Sequence, residues 1–115
     1  MDEFNQLRAI EWHDLPLSSF QLGCDGLILV ATPYNNVARR YEKIRLRVWD
    51  MTDLVLSIAG RITSCDLSDL EISDFTYTQH DEDRVSGTLG ILPGGEGYWK
   101  MEFRLAKYSL DLSSD

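Results

Sequence analysis

Two imidazoles, two thiols and 19 carboxylates are the groups in this 115-residue chain with the means to do chemistry. The histidines are His13, beside Asp14, and His80, beside Asp81, Glu82 and Asp83. A catalytic metal centre in a strand-rich domain needs several imidazole or carboxylate ligands brought together, and two distant histidines do not make a cupin-like cluster. His80 with Asp81 and Asp83 has donors for a loosely held divalent ion, but a run of charge at a loop tip is ordinarily a solvated face. His13 and Asp14 have the types of a base and its orienting acid, yet neighbours in an extended chain point to opposite sides. Neither Cys24 nor any serine stands in a nucleophile elbow, and Cys24 projects onto the apolar side of its hairpin. Gly87, Gly90, Gly94, Gly95 and Gly97 do not open a helix after a buried strand, as a phosphate cradle requires. So many acids make chance carboxylate pairs easy, and nothing marks one pair as an acid-base couple. The expectation is a protein that is not an enzyme, with no cofactor and no metal.

Charge narrows the partners. With 19 acidic against 11 basic residues the formal charge is -8, which repels phosphate backbones and anionic bilayers. Nucleic acid and membranes are therefore not expected as partners. The acid is concentrated: Asp66, Asp69, Glu71, Asp74, Asp81, Glu82 and Asp83 have no Lys or Arg among them. Arg39, Arg40, Lys43, Arg45 and Arg47 form a basic band interrupted only by Glu42. Such bands are either solvated faces that offset each other across a sheet or docking surfaces. The acidic block is the candidate surface for a basic protein partner. The aromatics Tyr77, Trp99 and Phe103 are the candidate lining of a small-ligand pocket, an alternative set against their use as core.

These residues must be positioned by strands. Leu17 to Thr32 reads as a hairpin turning at Asp25-Gly26 in a type I′ turn, with Phe20, Leu22, Cys24, Leu27, Leu29 and Ala31 on one apolar surface. Ile44, Leu46 and Val48 alternate with Lys43, Arg45 and Arg47, the pattern of a half-buried strand whose basic outer face suits a sheet edge. Asp50 to Asp53 reads as a turn and Leu54 to Ile58 as a short apolar strand. Asp66 to Asp74 opens a strand or a helical turn, Phe75 to Thr78 is extended, and His80 to Asp83 makes a polar tip. Val85, Leu89 and Ile91 share a face of the next strand, and Pro93 to Gly97 is a loop of breakers. Trp99, Met101, Phe103 and Leu105 then point one way, while Lys100, Glu102, Arg104 and Ala106 point the other. Phe4, Leu7 and Ile10 are spaced as on a short helix between Asp2 and Glu11.

About seven strands with short connections, and no helical crossovers, predict a single antiparallel β domain over residues 1–115: a sandwich, a barrel or a curved sheet. One short N-terminal helix accompanies it. Cys24 and Cys65 are too few for a disulfide framework and read as buried, inert thiols. An acidic N-terminus with no following apolar run points to the cytoplasm. A half-buried sheet of this size is also compatible with a homodimer.

The opening Ile10-Glu11-Trp12-His13-Asp14, a leucine, an aromatic two positions before another leucine (Phe20, Leu22) and then a hairpin resembles small acidic bacterial β-rich proteins. Some of these are similar to the immunity proteins of polymorphic or contact-dependent toxin systems. The resemblance covers residues 10 to 32. It implies a compact acidic protein that works by covering its cognate toxin, with Trp12 and His13 structural near a sheet end.

Overall fold

The computed structural model describes residues 5–59, 69–81, 83–93 and 97–112. A helix α1 (Asn5–Ala9) precedes β1 (Leu15–Gly23), β2 (Gly26–Ala31), β3 (Tyr34–Asn35), β4 (Arg40–Tyr41), β5 (Ile44–Trp49), β6 (Thr52–Ala59), β7 (Glu71–Gln79), β8 (Arg84–Leu92) and β9 (Tyr98–Leu112). β3 and β4 form a small ribbon, and the other strands make one sheet of seven, all antiparallel, in the order β5-β2-β1-β7-β8-β9-β6. Because β5 also pairs with β9, six of the seven strands close into a ring and β6 hangs outside it. Of the architectures left open by the sequence, the chain adopts the barrel. Its thinnest seam lies between β1 and β7, which pair only through Leu15 with Ile72 and Pro16 with Glu71.

The β1–β2 hairpin forms where expected, but its turn lies one residue earlier. Gly23 pairs with Gly26, Leu22 with Leu27 and Phe20 with Leu29, so Cys24-Asp25 are the turn residues. Neither has a positive φ; the left-handed position is Gly26, at 98°, directly after the turn. A Cβ there would meet the Val48 carbonyl and lie 2.9 Å from the Trp49 Cα. The two-position slide in pairing preserves side-chain parity, so Leu27, Leu29 and Ala31 still face the core. Cys24 does not: the turn carries it into solvent as an exposed thiol. Cys65 lies outside the described residues.

β5 and β6 run as one line antiparallel to β9. Ile44 to Trp49 pair with Leu112 to Lys107, and after a corner Thr52 to Ala59 pair with Arg104 to Tyr98. β5 is therefore flanked by β2 and β9 and is not the edge its basic face suggested. Asp50, Asp53 and Leu105 all take left-handed backbone angles at this corner. At Leu105 two residues of β9 oppose Ser86 alone, since Val85 pairs with Ala106 and Gly87 with Phe103. This bulge reverses the phase of β9. Leu105, expected inside, is exposed, while Ala106, expected outside, is fully buried. The freed backbone groups are satisfied by side chains: the Leu105 N–H donates to Ser86 Oγ (3.0 Å), Arg84 Nη1 donates to the Leu105 carbonyl (3.3 Å) and Thr52 Oγ1 donates to the Arg104 carbonyl (2.7 Å).

The core inside the ring is aliphatic at β2 and β5 and aromatic at β7 and β9. Trp12 and Phe75 meet edge to face at 5.2 Å, and Phe75 lies 6.5 Å from Phe103. Gly87 makes room for that pair, because a Cβ there would stand 2.8 Å from the Phe75 ring. Leu7 of α1, Ile10 and Trp12 are buried in the same core, and the Trp12 indole N–H donates to the Leu7 carbonyl at 3.0 Å. Trp99 is equally buried, but its indole N–H has no partner among the described residues.

Two outcomes follow from this packing. Trp12→Phe should cost more stability than Trp99→Phe, by about 1 kcal/mol, because both lose the same ring volume and only the first loses a made hydrogen bond; paired urea unfolding curves measure the difference. Gly26→Ala should destabilise by more than about 2 kcal/mol, combining a left-handed angle with a clash against β5, and its thermal midpoint reports the loss.

Candidate functional site

The acidic stretch follows β7. Asp69 precedes the strand, Glu71 opens it half-buried between Pro16 and Leu92, and Asp74 lies exposed opposite Gly90. Asp81 and Asp83 are exposed at the far tip, and Asp66 and Glu82 lie outside the described residues. From Asp74 to Asp81 the extended chain travels roughly 23 Å at about 3.3 Å per residue. The acids thus form two clusters at the ends of one strand, not a single patch. Among the described residues none of these five carboxylates is in an ion pair; the acids that are paired are Asp14, Glu42 and Glu102. Ser73 Oγ donates to Asp74 at 3.0 Å, and the Asp83 N–H donates to Asp81 Oδ1 at 3.1 Å. That backbone hydrogen bond is the main reason the Asp81 carboxyl titrates below its ordinary range, with the nearby Arg84 charge adding to it.

His13 and Asp14 do meet, contrary to the alternation expected of an extended chain. A left-handed angle of 54° at Asp14 turns its side chain back, and His13 Nε2 lies 3.2 Å from Asp14 Oδ2. The other ring nitrogen, Nδ1, is 2.7 Å from the carbonyl oxygen of Ser73, whose hydroxyl is directed at Asp74. The pair bridges the β1–β7 seam. His80 Nε2 is 2.8 Å from Ser86 Oγ, the oxygen that also accepts the Leu105 N–H at the bulge. Each imidazole thus ends on a group that braces the backbone. No three His, Cys, Asp or Glu side chains among the described residues are grouped to hold a metal ion.

The basic band divides. Arg40 pairs with Glu42 at 2.9 Å, and Arg39 turns the chain between β3 and β4 with φ 57°. Arg45 and Arg47 lie on the outer face of β5, with the Arg47 guanidinium 5.0 Å above the Trp49 ring.

The aromatic candidates are not assembled round one cavity. Trp99 and Phe103 keep 8% and 2% of their surface, and Tyr77 packs 5.0 Å from Phe75. Burial raises the Tyr77 hydroxyl above its ordinary range, although Arg8 works against the shift. A shallow groove of about 350 Å³ touches Tyr77 and Phe103, whereas Trp99 borders a different depression with Leu17, Phe20 and Leu70.

The most unusual surface is β6, every residue of which is exposed. Leu54, Val55, Leu56 and Ile58 show 42%, 49%, 44% and 53% of their surface. β9 pairs with one side of β6; the line that β2 follows beside β5 ends at the hairpin turn, and no strand among the described residues lies on the other side of β6. The sequence offers one sign of this. An apolar run without polar alternation reads as a strand covered on both faces, and a chain with one sheet cannot cover both.

Asp81→Ala should lower stability at neutral pH, because the folded carboxyl is held below the unfolded value of 3.8. The deficit should vanish as pH falls through and below that value, where the wild type loses the same contribution; urea unfolding at neutral and acid pH reads it. Among the described residues no helix is long and apolar enough to cross a membrane. No family model, curated protein or solved structure matches this chain.

Proposed function

We propose that the chain is a non-enzymatic, partner-binding protein of the immunity type, acting in the cytoplasm by covering a basic protein with the acidic margin of β7. One observation carries this reading: Asp69, Asp74, Asp81 and Asp83 stand in solvent along one strand and its ends, with no ion-pair partner among the described residues. Acids already exposed and uncompensated gain attraction to a basic surface without losing an internal partner. The net charge of -8 adds a long-range field that speeds such an encounter. Since screening acts over about 8 Å at physiological salt, the two clusters work as separate anchors, and the partner carries basic groups matched to both. A nuclease-type toxin, whose active surface must hold phosphates, has that chemistry. The engagement of both imidazoles in bracing contacts agrees with a role outside catalysis.

The test is charge reversal. A variant combining Asp69→Lys, Asp74→Lys and Asp81→Lys should bind the cognate basic protein at least about tenfold more weakly, or about 1.4 kcal/mol. Its binding should also depend less on salt. Titration calorimetry at two ionic strengths measures both effects, and unchanged affinity in the triple variant overturns the proposal.

A further inference from the structure

We propose that the start of β7 holds a lysine seat, in which Ser73 Oγ, Asp74 Oδ1 and the Tyr98 hydroxyl converge over Gly90 to bind one ammonium group of a basic partner. This rests on the acidic surface of β7 being the partner-binding face, and it names the side chain taken at one of that face's two anchors. The seat is built by a bulge and by a missing side chain. Ile72 pairs with Ile91 and Asp74 with Gly90, so Ser73 is an extra residue in β7. Ser73 and Asp74 both reach the space above Gly90, as does Tyr98. Apart from the neighbours of Gly90 in the chain, the three atoms nearest to where its Cβ would stand are all oxygens: Asp74 Oδ1, the Tyr98 hydroxyl at 2.6 Å and Ser73 Oγ at 2.7 Å. Glycine inside a strand costs stability and is expected where other groups must come this close.

Three oxygens from three side chains suit an ammonium. It has three N–H donors and no acceptor, so it can donate to all of them at once, and the Asp74 charge strengthens the set. Ser73 gives its own proton to Asp74 at 3.0 Å, which leaves the lone pairs of its oxygen to accept. A guanidinium is a flat fork matched to the two oxygens of one carboxylate, and it fits this tripod less well. The chain carries its own competitor. Asp74, Gly90 and Lys100 are neighbours in one row across β7, β8 and β9, and strands about 4.8 Å apart leave Asp74 within reach of a lysine side chain lying over a bare glycine. Lys100 stands between Tyr98 and Glu102 along β9, and its ammonium is held on the Glu102 side at 2.9 Å. Glu102 thereby keeps the seat open for a lysine from outside.

Titration of the full chain with N-acetyl-lysine methylamide, followed by nuclear magnetic resonance, tests this, with the uncharged norleucine analogue as the blank. The lysine amide should shift Ser73, Asp74, Gly90 and Tyr98 saturably, binding there at least about tenfold more tightly than at Asp81 and Asp83. The arginine amide should bind the seat more weakly. Tyr98→Phe, which changes no charge, should weaken the lysine amide about threefold, the loss of one hydrogen bond. Glu102→Gln should weaken it too, and should have no effect once Lys100→Met has removed the competitor. Shifts no stronger at Asp74 than at Asp81 and Asp83 overturn the seat, as does equal affinity for the two cationic amides or indifference to Tyr98→Phe. An effect of Glu102→Gln that survives Lys100→Met overturns the role of Glu102. No partner protein enters this titration, so its failure is distinct from an unchanged affinity in the charge-reversed triple variant, which overturns the acidic-face reading instead.

Discussion

β9 has to serve three neighbours, and the rest of the structure depends on how it does so. Its 15 residues carry β8 along one side and share the other side between β6 and β5. To close the ring the strand must bend where its partner changes, between Arg104 and Lys107. The bend is made by one extra residue, Leu105, held in a left-handed angle and secured by Ser86, Arg84 and Thr52. Without that insertion the two halves of β9 could not both face the interior. With it, Trp99, Met101 and Phe103 in the first half and Ala106 and Tyr108 in the second half all enter one core.

The same geometry explains what is left outside. The hairpin turn at Cys24-Asp25 ends β2 level with the end of β5, so the continuation of that line, β6, has β9 on one side and no strand among the described residues on the other. An apolar edge of this kind is costly in a single chain, since each aliphatic group left in water forfeits about 25 cal/mol per Å². The Trp99 indole N–H, without a partner among the described residues, lies in the same region, with Trp99 directly across from Ile58 in register.

Charge is arranged so that folding does not oppose it. No polar or charged residue is buried among the described ones, so the ring forms without desolvating an ion. The acidic excess stands on outer faces, where its field extends into solvent. β7, with its acids, lies within the ring between β1 and β8, whereas the nearly uncharged β6 lies outside the ring beside β9.

Much of this was legible in the chain. Alternation at Ile44, Leu46 and Val48, at Val85, Leu89 and Ile91, and at Trp99, Met101 and Phe103 marked inward faces that the fold uses, because burial on one side imposes a period of two. The mainly antiparallel class, the short helix with buried Leu7 and Ile10, the corner at Asp50 to Asp53 and the polar tip at Asp81 were readable for similar local reasons. What depended on distant partners was not. The hairpin's exact turn, and with it the exposure of Cys24, depended on Gly26 fitting against β5, and the reversal after Phe103 depended on β9 changing neighbours. The acidic run looked like one block because adjacency in sequence was all that could be seen, yet an extended strand sets its ends far apart. By itself the sequence determined which side chains seek the interior and where the chain can turn, since those are properties of neighbouring residues. Only the tertiary structure decided which strand closes the ring and which is left as an edge, because that depends on where strands distant in sequence run out.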